Sequence, residues 1–170
     1  MKQISRLFIL LCVSLLLTAC GQDPTGVMVG APAPQFTLQD RQSNAWNLAE
    51  LRGQVVFVNF WATWCPPCRE EMPSMQRLAD SMPKDKFKML AVLNRDSPAN
   101  ADLFIKKIGV TLPVLNDMGN NVGQMYGITG LPETFIIDKQ GVLREKIIGP
   151  AQWDSPQFVQ MIQKYIDEEE

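Results

Sequence analysis

Hydrophobic positions fall into short runs separated by turn-forming residues, and the period of each run predicts an element. Residues 55–60 (Val-Val-Phe-Val-Asn-Phe) are apolar except for Asn59, the near-continuous pattern of a strand covered on both faces. Residues 87–93 repeat that pattern, and 113–115 form a third short run. From Cys68 to Ser81 the period changes, with Met72, Met75, Leu78 and Ala79 on one side of a helix. These methionines sit at core spacing. Asp96 or Ser97 is expected to cap a helix that runs through Lys107 and carries Leu103, Phe104 and Ile108. Residues 122–126 predict a short helix, and 155–166 a closing amphipathic helix with Phe158, Val159, Ile162 and Ile166 on its apolar face.

Two hairpins complete the pattern. Residues 35–38 and 45–48 alternate about the polar segment 39–44, and residues 48–51 read as a turn of helix ended by Gly53. Residues 134–137 and 142–147 flank the turn Asp138-Lys139-Gln140-Gly141. Strands alternate with helices up to that second pair, which predicts an α/β fold with a central mixed β-sheet flanked by helices.

The first part of the 170-residue chain does not follow these periods. Lys2 and Arg6 precede the apolar run 7–17, and Thr18-Ala19 supplies small residues. This is the pattern of an export leader over residues 1–19, and the run is too short to span a bilayer, which takes about 20 residues. Leu17-Thr18-Ala19-Cys20 resembles a bacterial lipobox, with cleavage before Cys20 and lipid attached to its sulfur; ordinary secretion with cleavage after Ala19 is the alternative. Acylation at more than one position would make the anchor stable. Residues 20–32 then form the lipidated N-terminus and a linker, within a wider non-periodic stretch, 22–34, rich in Gly, Pro and small residues. Residues 33–170 make one domain of ordinary size. The formal charge of −2 becomes more negative once Lys2 and Arg6 leave, so nothing points to nucleic acid. The acidic end, 167–170, reads as a solvated helix end.

Removing the leader simplifies the cysteines. Of the four, Cys12 leaves and Cys20 is acylated, so Cys65 and Cys68 are the remaining thiols. They stand at a strand-to-helix junction, Phe60-Trp61-Ala62-Thr63-Trp64-Cys65-Pro66-Pro67-Cys68, with the two-residue spacing of a dithiol redox site. Cys65 falls at the N-cap of the coming helix, where unpaired N–H groups and the positive end of the dipole favour a thiolate. Pro66 and Pro67 fill the first turn, where a missing N–H costs little. The Cys68 amide is therefore the first able to reach the Cys65 sulfur, and Cys68 lies within disulfide reach. Cys65 is predicted to be the exposed nucleophile and Cys68 the more buried resolving thiol. Pro73 is expected to kink the helix. The alternatives are half a zinc site or a structural disulfide. The chain has no histidine and no further ligand cysteine in the domain, and so short a loop constrains little. No metal is expected.

Two long motifs carry a resemblance. Residues 58–73, Val-Asn-Phe-Trp-Ala-Thr-Trp-Cys-Pro-Pro-Cys-Arg-Glu-Glu-Met-Pro, and 126–138, Tyr-Gly-Ile-Thr-Gly-Leu-Pro-Glu-Thr-Phe-Ile-Ile-Asp, resemble the thioredoxin superfamily. Within it the chain looks like the membrane-tethered TlpA/ResA-type and cytochrome c maturation thioredoxins, over about residues 33–168. The resemblance implies a thioredoxin-like fold with an N-terminal β-hairpin and a strand–helix insertion near 91–113. It also implies a cis peptide at Leu131–Pro132 facing the cysteines, leaving the Leu131 backbone free to pair with a substrate segment. Plain thioredoxin has a buried acid where this chain has Asn59. The tethered branch has a glutamate at Glu71, on the same helix face as Cys68. Glu71 is read either as a group that moves protons for Cys68 or raises thiol pKa values, or as a first-turn acid that suits the dipole. Glu133 resembles the acid of the cytochrome c maturation branch and either shapes partner choice or is a solvated strand-end acid. Trp64, Pro66, Pro67, Leu131, Pro132 and Glu133 are the expected substrate-binding set. Trp61 is expected to pack, and Gly149-Pro150 to line the groove.

The function this implies is an extracytoplasmic, lipid-anchored thiol–disulfide oxidoreductase on the periplasmic face of a bacterial membrane. It needs no cofactor and reduces disulfides of exported proteins such as apocytochrome c, with electrons from a membrane thiol donor. A peroxiredoxin-like peroxidase is a second reading, although that family has threonine three residues before the reactive cysteine, where this chain has Ala62. A non-catalytic binder of cysteine-containing apo-proteins is the third.

Overall fold

The computed structural model describes residues 27–168, so the leader, Cys12 and Cys20 lie outside the described residues. The predicted hairpin forms from β1 (Thr37–Gln39) and β2 (Ala45–Asn47). Asp40 organises its turn by accepting from the Gln42 and Asn44 amides and from the Trp46 indole. A 3-10 turn, Leu48–Leu51, is capped by the Asn47 side chain.

The main sheet follows. Its strands are β3 (Val55–Trp61), β4 (Phe87–Asn94), β5 (Val114–Asp117), β6 (Glu133–Ile137) and β7 (Leu143–Ile148), in the spatial order β5–β4–β3–β6–β7. β3, β4 and β5 are parallel; β6 and β7 run antiparallel to their neighbours. The helices are α1 (Pro66–Ser81), α2 (Pro98–Ile108), the short α3 (Asn121–Met125) and α4 (Pro156–Asp167). This is the mixed-sheet, thioredoxin-like α/β architecture expected from the patterning, with α2 lying between β4 and β5.

Every residue of β3 is buried. Alternation sends Val55, Phe57 and Trp61 into one apolar cluster with α1 and α4, and Val56, Val58 and Phe60 into a second with Tyr126 and Phe135. Edge-to-face pairs tie the first cluster, with Phe57 against Trp153 at 4.7 Å, and the second, with Tyr126 against Phe135 at 5.0 Å. Trp61 packs as expected, 5.9 Å from Phe104. α1 continues through Pro73 to Ser81.

Two expectations change. Ser97 occupies the N-cap of α2 but makes no side-chain cap bond. Asp96 accepts from the Ser97 amide and from the Asn100 side chain, and it reaches the Thr63 amide at 2.6 Å. Asp96 thus ties the start of α2 to the loop before Cys65. The second change concerns the linker, whose last residues are part of the fold. Gly30 donates to Leu143, Leu143 to Ala31, and Ala33 to Gly141. Pairing therefore starts at Gly30, three residues before the domain boundary read from composition. Small residues and proline look like linker in isolation, yet here they add backbone bonds along the start of β7.

Candidate active site

The parallel and antiparallel halves of the sheet meet at β3, and this sets the site. β3 ends at Trp61, and the chain turns through Ala62–Trp64 to Cys65, the N-cap of α1. β6 runs the other way, with Phe60 in register with Glu133, so the Leu131–Pro132 segment entering β6 arrives at the end of β3 from which the cysteines follow. The Leu131–Pro132 peptide is cis, and Leu131 packs against the cluster that contains Cys65 and Cys68.

Cys65 and Cys68 are joined by a disulfide, with their Cα atoms 5.4 Å apart. Cys65 has extended backbone, as an N-cap requires, and its sulfur accepts from the Cys68 N–H at 3.3 Å. Prolines at both intervening positions leave that amide as the first donor of the helix. Cys68 is fully buried and Cys65 is 4% exposed. The order of accessibility is the expected one, but Cys65 is far less open than a free nucleophile. Its exposed neighbours are Trp64 and Pro66; Pro67 is half-buried.

Behind the pair lies Glu71, 3% exposed. Its carboxyl accepts from the Asn59 side chain (2.9 Å), the Trp153 indole (2.9 Å) and the Ala151 amide (3.1 Å). Burial pushes its pKa above the ordinary 4.5, and the Trp153, Asn59 and Ala151 donors offset only part of that. Glu71 is the sixth residue of α1, so it lies past the first turn, where the dipole reading placed it. Asn59 also donates to Thr134 Oγ1 at 2.9 Å, so one amide joins β3, α1 and β6. Asn59 occupies the alternate β3 position whose neighbours Phe57 and Trp61 face α1, which is why a polar residue interrupts the apolar run there.

Glu133 corrects an expectation. It is completely buried and so is neither a solvated acid nor part of the contact surface. One oxygen accepts from the Thr129 amide and hydroxyl and from the Gly130 amide; the other lies 3.1 Å from Lys146 Nζ. Burial works against its charge, but the Thr129, Lys146 and Gly130 donors outweigh burial and hold the carboxyl below its ordinary value. Glu133 thus shapes the Thr129–Leu131 loop from within.

Beside this loop is a groove of about 340 Å³ between Trp64, Arg95 and residues 128–131. Trp64 is 59% exposed and directs its indole N–H toward the Arg95 carbonyl at 3.5 Å. Arg95, Trp153, Lys146 and the Ala151 amide were not among the residues singled out from sequence. Trp153 alone had a local signal: a large aromatic in a polar loop directly before a helix. Gly149, expected to line the groove, lies in the loop after β7 and donates to the Pro132 carbonyl, and it is not among the residues lining this groove. Among the described residues no group of three or more Cys, Asp or Glu side chains is arranged to hold a metal ion. No described helix is long and apolar enough to cross a membrane.

Comparison with known proteins decides the family. The model of the AhpC/TSA family matches residues 29–146. The chain belongs to that family. Its relatives lie on the thioredoxin-like branch: the thiol-disulfide oxidoreductase ResA of Geobacillus thermodenitrificans is 39% identical over 127 residues, covering 75% of this chain and 73% of the relative. A Chlorobium tepidum structure described as a thiol:disulfide interchange protein DsbE superposes with a TM-score of 0.76 at 27% identity, covering 83% of this chain and 99% of the other. A second structure from that organism, a thiol:disulfide interchange protein of the thioredoxin family, gives 0.71 at 28%, again over 83% and 99%. The chain is accordingly a thiol-disulfide oxidoreductase, similar to ResA.

Proposed function

We propose that this oxidoreductase works outside the cytoplasm as a reductant of disulfides in exported proteins, apocytochrome c among them. Cys65 is the nucleophile, Cys68 the resolving thiol and Glu71 the group that exchanges protons near them. The observation that carries this reading is the Cys65 sulfur at the mouth of α1, with the Cys68 N–H on it and the cis Leu131–Pro132 segment beside it. In the reduced protein that amide and the helix dipole stabilise a Cys65 thiolate.

The thiolate attacks one sulfur of a substrate disulfide. A Cys65–substrate disulfide forms, and the other substrate sulfur leaves and takes up a proton. Cys68 then loses its proton and attacks Cys65, releasing the second substrate thiol. Two electrons have passed to the substrate, and the enzyme is left in the disulfide form described here. A thiol donor on the membrane restores the dithiol. Glu71, held above its ordinary pKa, is suited to take and return the Cys68 proton. Trp64, Pro66, Pro67 and Leu131 form the contact surface around the exchange, and Pro132 lies beneath it.

The leader and the Leu17-Thr18-Ala19-Cys20 motif support export and a lipid anchor on Cys20. Incorporation of radiolabelled palmitate by the wild type and its loss in Cys20→Ser is the expected result.

The direction of electron flow is tested by equilibrating the Cys65–Cys68 couple against glutathione. Thioredoxin and a strong oxidase differ by about 150 mV, roughly 7 kcal/mol for two electrons. The potential should lie near the thioredoxin end; a value near the oxidase end reverses the direction.

A further inference from the structure

Arg95 is held in place beside the groove by contacts that the exchange chemistry does not require. It follows β4 directly and is exposed. Its backbone is left-handed, with φ of 50°, a conformation that a long side chain adopts only when its surroundings insist. Three contacts do so. The Arg95 amide donates to Asp117 at 3.3 Å, and its carbonyl faces the Trp64 indole N–H. The Asn120 side-chain amide lies 2.6 Å from Asn94 Nδ2 and 2.7 Å from Arg95 Nη2; turned with its oxygen toward Arg95, it accepts from Nη2 and Nε together.

Asn94, Asp117 and Asn120 form a buried polar knot behind the arginine. Gly123 closes it: a Cβ there would lie 2.2 Å from the Asn120 side-chain amide and 2.7 Å from Asn94 Nδ2. The knot also starts α3, since the Asp117 carboxylate accepts from the Val122 and Gly123 amides. Its result is a guanidinium held at a groove in which Arg95 is the one charged lining residue. Among the described residues no carboxylate pairs with it. Arg69, the other cation near the cysteines, is stacked on Phe104 at 5.3 Å.

We propose that Arg95 is a specificity-determining residue that selects substrate segments carrying an acidic side chain next to the attacked cysteine. A segment lying along Leu131, with its sulfur at Cys65, would pass between Trp64 and the Arg95 guanidinium. A fixed guanidinium recognises a carboxylate by two parallel N–H···O bonds. Because its orientation is set in advance by Asn120 and the left-handed backbone, little side-chain freedom remains to be lost on binding. The proposal rests on the oxidoreductase reading and names the substrate class for the same site.

The test uses two disulfide peptides that differ only in Glu or Lys beside one cysteine. Reduction by the dithiol enzyme should favour the Glu peptide by about tenfold in kcat/KM, the scale of one charge-assisted contact. That ratio should shrink as salt is raised. It should collapse in Arg95→Asn, which keeps a residue tolerant of the left-handed region, and largely return in Arg95→Lys. Each ratio is internal to one protein, so the folded fraction does not enter it. Equal rates for the two peptides in the wild type, or an unchanged ratio in Arg95→Asn, overturns the proposal. Peptides with serine in place of cysteine separate the two readings. Their relative affinities, followed by tryptophan fluorescence, decide the role of Arg95 whether or not turnover occurs; absence of turnover in the wild type counts against the oxidoreductase reading alone.

Discussion

Asn59 donates its side-chain amide to Glu71 across 2.9 Å, joining the central strand to the helix that carries both cysteines. The same amide reaches Thr134, so the helix, the central strand and the strand that follows the cis proline share one polar junction. Glu71 is the titratable member of that junction, and its pKa lies above the ordinary 4.5.

The sign of its effect on stability follows. A carboxyl whose folded pKa exceeds its unfolded value binds more protons in the folded state. Its contribution is fully present below pH 4.5 and is lost as pH rises through the folded pKa. Glu71→Gln removes that loss. Urea unfolding of the oxidised proteins should show the wild type losing stability relative to Glu71→Gln as pH rises from about 4 toward 7, whatever constant offset the glutamine introduces. Parallel pH curves would show that Glu71 does not titrate in this window.

Trp153→Phe keeps the edge-to-face contact with Phe57 but leaves Glu71 without its indole donor. The lost bond should cost about 1–3 kcal/mol. Since that donor lowers the Glu71 pKa, its removal should move the Glu71-linked transition to higher pH. Carboxyl infrared difference spectra of wild type and variant would report the shift.

Lys146→Met tests the loop under the cis proline. It strips the cation from Glu133 Oε2 while the carboxylate stays fully buried. Destabilisation of roughly 2–4 kcal/mol is expected, since removing one partner strands the other charge. The Glu133 carboxyl, now held below its ordinary 4.5, should rise. Stability that in the wild type is present above 4.5, and lost only as pH falls through the depressed value, should then begin to disappear at higher pH.

The two cysteines should separate by product. Cys68→Ala, mixed with a peptide disulfide, should accumulate a covalent Cys65–peptide adduct because no resolving thiol remains. Cys65→Ala should not, because Cys68 is fully buried. Mass spectrometry after alkylation distinguishes the two. A peroxide-consumption assay on the wild type should stay at background, given Ala62 where a peroxidase pattern has threonine.

Residues whose roles come from local spacing were readable in advance. The period-3.6 apolar face of α1, the continuous run of β3 and the N-cap position of Cys65 all follow from neighbours within a few residues. The surroundings of Glu71 did not, because Trp153 and the Ala151 amide lie about 80 residues further along the chain. Glu133 misled for a related reason. An acid at a strand end between proline and threonine reads as a partner contact or a solvated residue, and only the β6–β7 pairing brings Lys146 over it. Arg95 carries no periodic signal at all; its left-handed backbone depends on contacts with Asp117, Trp64 and Asn120.

The attachment of Gly30–Ala33 to the first residues of β7 has a geometric outcome. β7 starts opposite Ile137, which pairs with Val56, so this contact sits at the pole of the sheet where β3 begins, whereas the sulfurs sit where β3 finishes. A membrane gripping the chain upstream of Gly30 would therefore hold the molecule by its base, and the reactive face would look outward, toward arriving partners.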